Sequence, residues 1–168
     1  MYDFAVFVLL KCVNVSAYLG VCPRLLTMAS AIRQAGVAFC LTGGGTGIGR
    51  ALTIALAKAG VHVLIVGRRE GPLLETQTAA AGLGAHVEIA TADVGTPEGR
   101  DKIVASAQAV HAKTPLKYLV HNAATLGSPP ATDLSGLTLS GWRQTMAVNV
   151  EGPLFLTQAL LPVLSSTG

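Results

Sequence analysis

From Val37 onward the chain alternates between two hydrophobic rhythms. Short, nearly unbroken apolar runs occur at Val37–Thr42, Val61–Val66, His86–Ala90 and Tyr118–His121. Their length and branched residues predict buried strands. Between them, apolar residues recur every three or four positions. In Ile48–Ala59 these are Ile48, Leu52, Leu56 and Ala59, and Gly60 supplies the stop. Glu70–Ala81 predicts a second helix, with Pro72 tolerated in its first turn and Gly82 just past its end. Thr96-Pro97-Glu98 is a helix start, a capping residue followed by proline at the first helical position, and that helix runs to about Ala112. Ser128–Gly136, with paired prolines, reads as a loop. Ser140 opens a long helix to about Leu164, with an irregularity expected at Gly152-Pro153. Four strands alternating with four helices predict an α/β fold. Its parallel sheet is covered on both faces, and one domain accounts for residues 37–168.

The first thirty residues do not follow this scheme. Phe4–Cys22 is largely apolar but interrupted by Lys11, Asn14 and Ser16. Asp3 stands where a signal peptide would carry positive charge, and Lys11 is costly near the middle of a spanning helix. Met28-Ala29-Ser30 would make a natural start. Residues 1–30 are therefore expected to be a non-native extension or a poorly ordered leader. A targeting or anchoring segment is the next reading, and an integral part of the fold the third.

Composition narrows the class. At 51% hydrophobic and 12% charged, the chain is not a disordered one. The net charge of +3 comes without any Lys/Arg run, so a nucleic-acid partner is not expected. Cys12, Cys22 and Cys40 are odd in number and lack CxxC spacing, which argues against a disulfide framework or a zinc site. Cys40 lies in an apolar run and reads as core. His62, His86, His111 and His121 are scattered, without metal-ligand spacing, and read as surface or strand-end residues. No metal is expected.

The candidate chemistry lies between the first strand and the first helix, in Thr42-Gly43-Gly44-Gly45-Thr46-Gly47-Ile48-Gly49. A helix N-terminus offers unpaired N–H groups and partial positive charge, and glycines let the backbone turn tightly and approach a pyrophosphate. A P-loop would need lysine and a hydroxyl residue after Gly49, but Arg50 and Ala51 follow. The GxGxxG spacing fits no register here. The spacing that fits is TGxxxGxG. The second strand ends in Val66-Gly67-Arg68-Arg69, with no acid before Glu70. An acid there would bind a ribose hydroxyl, whereas adjacent guanidiniums match a 2′-phosphate. NADP is therefore expected rather than NAD, with Arg68 as first choice for the phosphate and Arg69 as second.

The TGxxxGxG motif resembles the glycine motif of the short-chain dehydrogenase/reductase family, and the resemblance continues in order to about Leu164. Asp93-Val94 resembles the family's contact to the adenine ring. Asn122-Ala123-Ala124, after the fourth strand, resembles the segment that supports the sheet and lies along the cofactor; Thr125 departs from the glycine that follows in the family. Trp142–Gly152 resembles the helix carrying the NVxG motif, and Asn149 matches the asparagine of the family's catalytic tetrad. A second departure is Thr46, where many NADP-preferring members carry a basic residue.

The resemblance implies a Rossmann-type doubly wound parallel sheet. It implies cofactor contacts by Thr42, Gly43, Gly45, Thr46, Gly47, Ile48, Gly49, Arg68, Arg69, Asp93, Val94, Asn122, Ala123 and Ala124, and a catalytic role for Asn149. The implied activity is NADP-dependent hydride transfer between nicotinamide and a small-molecule carbonyl or alcohol. Tyr2, Tyr18 and Tyr118 are the tyrosines present, and none is followed four residues later by the lysine of the family's Tyr-x-x-x-Lys motif. The 168 residues are accordingly expected to be C-terminally truncated and inactive by themselves. Poor folding is also expected, with the fourth strand left as an open edge. The alternative is a non-catalytic dinucleotide-binding module or a vestigial fragment. A homodimer or tetramer is expected for a full-length form, cytoplasmic, with no membrane contact unless residues 4–22 provide one.

Overall fold

The computed structural model describes residues 5–8, 36–127 and 133–165. Cys12, Cys22, Met28-Ala29-Ser30 and most of the expected leader lie outside them, as does part of the Ser128–Gly136 loop.

The strands are β1 Ala5–Val8, β2 Ala38–Thr42, β3 His62–Gly67, β4 Val87–Thr91 and β5 Leu116–His121. They form one parallel sheet in the order β1-β5-β2-β3-β4. The helices between β2 and β5 are α1 Gly47–Lys58, α2 Glu70–Ala80 and α3 Pro97–His111. After β5 come α4 Leu139–Met146, a π turn Ala147–Glu151 and α5 Gly152–Ser165, running on as one long helix.

Residue alternation within the strands builds two cores. Ala38 and Cys40 of β2 face one way, toward Ile103 and Ala107 of α3 and Leu156 and Leu160 of α5. Phe39 and Leu41 face the other, toward Leu56 and Ala57 of α1 and Leu73 and Ala80 of α2. Successive side chains of a strand point to opposite faces, so a strand covered on both sides must be apolar throughout. Burial pushes the Cys40 thiol up to about 12, so it stays protonated inside the core.

The local signals act where their chemistry places them. The Thr96 hydroxyl accepts from Gly99 N at 3.0 Å and caps α3. Gly60 has a positive φ of 76°, and Val61 N donates back to Leu56 O at 3.0 Å, which closes the end of α1. The long helix starts at Leu139 rather than Ser140, because Thr138 supplies the cap to Gly141 N. Its irregularity lies one turn before Pro153. Proline has no N–H for the carbonyl of Asn149, and the ladder widens to a π turn there. Among the described residues, Leu139–Leu164 is the helix long and apolar enough to cross a membrane by length and composition. Leu156, Leu160 and Leu164 nevertheless lie buried against the sheet.

Two expectations are corrected. The sheet has a fifth strand, β1, drawn from residues read as a leader outside the fold. It pairs with β5 from Ala5↔Tyr118 to Val8↔His121, so β5 is an interior strand and not the open edge expected. The pairing needs only an apolar extended segment and the backbone groups β5 would otherwise leave unpaired.

Candidate functional site

The strand order runs one way from β2 through β3 to β4 and then jumps back, with β5 on the other side of β2. At such a switch point the loops leaving the two strands diverge and open a crevice at their C-terminal ends. A cleft of about 200 Å³ lies there.

Its floor is the glycine turn. Gly43 N and Gly44 N both donate to Val66 O, at 2.7 and 3.2 Å, which ties the turn to β3. Thr76 of α2 donates its hydroxyl to Gly45 O at 3.2 Å. Gly43 has φ of 72°, a region that suits glycine, and a Cβ there would sit 2.8 Å from Asn122 Nδ2. A Cβ on Gly49 would collide with Gly43 O. These two glycines are thus required by the protein's own packing, a reason different from ligand approach. Gly47 also has a positive φ, 53°, but faces open space.

Thr42, Gly43, Gly45 and Thr46 line the cleft. Gly47, Ile48 and Gly49 are not among its lining residues; they form the first turn of α1. Thr46 makes no side-chain cap hydrogen bond, and no acid occupies that turn. The N–H groups of the helix start are therefore not satisfied by a side-chain cap, and the partial positive charge is not neutralised locally.

One wall is the segment after β5. Thr42 Oγ1 accepts from Asn122 N and from Ala123 N, both at 3.1 Å. Asn122 Nδ2 returns two bonds, to Thr42 O and Gly43 O, each at 3.0 Å. This reciprocal lock fixes the two diverging loops against each other. Asn122 Oδ1 is buried and has no hydrogen-bond partner among the described residues. Asn122, Ala123, Ala124 and Thr125 all line the cleft.

The opposite wall carries Arg68, Arg69, Asp93 and Val94. Asp93 Oδ1 accepts from Gly95 N at 2.9 Å, and Oδ2 lies 4.0 Å from the Arg68 guanidinium. The pair is exposed and weak. Arg69 forms no ion pair among the described residues.

Asn149 sits on the π turn, outside the cleft lining. Its Oδ1 accepts from Thr125 N at 2.9 Å and its Nδ2 donates to Thr125 O at 2.8 Å. Both ends of its amide clamp the backbone of a cleft residue, which makes Asn149 a positioning residue in this structure. Sequence reasoning missed the apolar lining, chiefly Pro72, Leu73 and Val148. They carry no motif, and only the packing of α2 and the π turn brings them in.

His121 ends β5 and is only 3% exposed. Its Nε2 lies 2.8 Å from Thr157 Oγ1 of α5, while Nδ1 is buried and unpartnered among the described residues. Burial lowers its pKa from 6.5 to about 4. Below pH 6.5 the unfolded chain therefore binds a proton that the folded chain refuses until about pH 4, so stability is lost as pH falls through that window. Acidification from pH 7 to 5 is expected to cost about 2 kcal/mol from this group. Urea unfolding of the wild-type and His121→Gln chains at both pH values checks this. Equal losses in the two would refute it.

A glycine turn at a helix start, set at the switch point of a doubly wound parallel sheet, defines a Rossmann-type dinucleotide-binding architecture. The comparisons with known proteins agree. The family model described as short chain dehydrogenase matches residues 37–168. Dehydrogenase/reductase SDR family member 4 of Homo sapiens is 30% identical over 122 residues, 73% of this chain and 42% of that protein. The 11-beta-hydroxysteroid dehydrogenase A of Sesamum indicum is 31% identical over 134 residues, covering 79% and 37% of the two chains. Among solved structures, L-sorbose reductase from Gluconobacter frateurii, complexed with NADPH and L-sorbose, superposes with a TM-score of 0.72. It is 29% identical, over 80% of this chain and 49% of that one. The chain belongs to the short-chain dehydrogenase/reductase family, a family of oxidoreductases, and spans less than half the length of these curated relatives.

Proposed function

We propose that these residues form the dinucleotide-binding part of an NADP-dependent oxidoreductase that moves hydride between nicotinamide and a small carbonyl or alcohol substrate. The observation that carries this is the convergence on one cleft of an unneutralised helix start, two arginines and a backbone wall locked by Asn122. The residues present fit the group. The orphaned Asn122 Oδ1 and the cleft between the glycine turn and Arg68 and Arg69 are polar where a phosphorylated dinucleotide is polar.

The bound cofactor would supply the hydride chemistry. The protein's residues bind and orient. The first turn of α1, with Gly45 and Thr46, would hold a pyrophosphate. Arg68 and Arg69 would hold the 2′-phosphate, Arg68 exchanging its weak contact with Asp93 for a stronger one. Asp93 and Val94 flank the adenine end. Asn122, Ala123 and Ala124 run alongside, held by Thr42, and Asn149 keeps Thr125 in place.

Cofactor titration of the 168-residue chain, followed by fluorescence, tests the reading. NADPH is expected to bind more tightly than NADH. Replacing both Arg68 and Arg69 by Ala should weaken NADPH by roughly tenfold to a hundredfold, since hydrogen bonds to charged groups are worth about 1.5–3 kcal/mol. NADH should be little affected. Equal weakening of both, or a wild-type preference for NADH, would overturn the assignment.

A second reading is a non-catalytic dinucleotide-binding module. It is favoured by the Asn149 amide, whose Oδ1 and Nδ2 are both bonded to the backbone of Thr125. Under either reading this polypeptide binds NADPH, and it is expected to do so without reducing carbonyls, because proton transfer needs a positioned acid. Self-association would use the exposed apolar residues Trp142, Val150, Leu154 and Phe155 of the long helix.

A further inference from the structure

The turn between β4 and α3 carries Asp93 and Val94, part of the cleft wall opposite Asn122. Asp93 is held from within the turn. Its carboxylate accepts from Gly95 N, and its carbonyl accepts from Thr96 N and Thr96 Oγ1. The Val94 carbonyl is held from further along the chain, accepting from Arg100 Nη1 of α3 at 3.0 Å. The same guanidinium lies over the Phe155 ring of α5, 5.5 Å from its centroid. The start of α5 meets this turn as well. A Cβ on Gly152 would lie 3.0 Å from Val94 Cγ2 and 3.1 Å from Val94 O, so glycine there lets the helix backbone sit directly on Val94.

We propose that Arg100 is a positioning residue of the site: it ties the Val94 carbonyl to Phe155 and so holds the adenine-side wall of the cleft against α5. A cation near the start of a helix is opposed by the partial positive charge there. Arg100 stands near the start of α3, and it forms no ion pair among the described residues. Its head turns instead to a carbonyl and a ring face. A charged donor makes the stronger kind of hydrogen bond, and the face of an aromatic ring attracts a guanidinium. Loosening Val94 would loosen its neighbour Asp93, and with it the contact of Asp93 with Arg68. The inference rests on the dinucleotide reading for what the wall touches, and on the turn's own bonds for how the wall is held.

Cofactor titration and amide hydrogen exchange on the full chain test it. Arg100→Met keeps the aliphatic stem and removes the donor and the charge. NADPH and NADH share the adenine end, so both are expected to bind more weakly by roughly tenfold. The Gly95 and Thr96 amides should exchange faster, while those of β3 keep their protection. Unchanged affinities, a loss for NADPH alone, or faster exchange throughout the chain would each overturn the proposal. If the wild-type chain binds neither cofactor, the dinucleotide reading fails, and the exchange rates alone decide whether Arg100 holds the turn. Phe155 is 44% exposed, so Phe155→Leu removes the ring without disturbing the core. It should weaken both cofactors by about twofold to fivefold, and Arg100→Met/Phe155→Leu should be no weaker than Arg100→Met. Additive losses would refute the tie. Should Arg100→Met fail to fold, the wild-type guanidinium decides by NMR. Resolved Arg100 Nη signals, shifted by the Phe155 ring, are expected; freely averaged ones would refute the proposal.

Discussion

Gly43→Ala is expected to destabilise the chain by roughly 2–5 kcal/mol and to abolish measurable dinucleotide binding. Two costs add. An L-residue in the left-handed region costs about 1–2 kcal/mol, and forcing a methyl into a filled space costs about 1–3 kcal/mol. The space is filled: the new Cβ would lie 2.8 Å from Asn122 Nδ2 and 3.0 Å from the backbone of Ala123. Relief requires pushing the Asn122 segment away, which breaks its bonds to Thr42 O and Gly43 O. The same movement spreads the cleft, so affinity falls with stability. Gly47→Ala is the control. Its φ of 53° carries the conformational cost, but its Cβ meets nothing within 4 Å. Thermal unfolding should show Gly43→Ala lowering the Tm by on the order of 10 °C, and Gly47→Ala by clearly less. Equal effects would mean that backbone conformation alone sets the requirement and that the contact with Asn122 is unimportant.

The second large effect is expected from Leu160→Ala on α5. Leu160 is fully buried, in one cluster with Leu156, Leu164, Ile103 and Leu119. Removing its branched end leaves a cavity between α5, α3 and the sheet, and such losses run to about 2–5 kcal/mol. α5 also anchors His121 through Thr157, so loosening it reaches the end of β5. Leu154→Ala, on the same helix but 60% exposed, should stay within about 0.5 kcal/mol. Urea denaturation of the three chains measures both. A Leu160→Ala loss as small as that of Leu154→Ala would mean that α5 is not docked as described.

The two effects differ in how far they are visible along the chain. Gly43 is conspicuous in TGxxxGxG, yet the atom it makes room for belongs to Asn122, about half the chain away. Leu160 follows the helical period of the long helix, but nothing in that period separates it from Leu154 or Leu161, which are equally apolar and exposed. Only the sheet selects the face. Arg68 and Arg69 could be assigned to one strand end from sequence. That Arg68 leans on Asp93 while Arg69 has no ion pair among the described residues is decided across the cleft.

What the sequence determined by itself was local or periodic. Alternating apolar runs set the strands and the doubly wound class. Thr96 started one helix and Gly60 stopped another through groups within a turn of themselves. The glycine spacing marked the tight turn between β2 and α1. The tertiary structure decided what depends on partners distant in the chain: β1 pairing with β5, Thr42 and Asn122 locking two loops, Asn149 clamping Thr125, and burial lowering the pKa of His121. The physical reason is the same in each case. A strand pattern states that backbone groups need partners but not which strand supplies them, and a polar side chain states what it can bond but not what folding will bring within 3 Å of it.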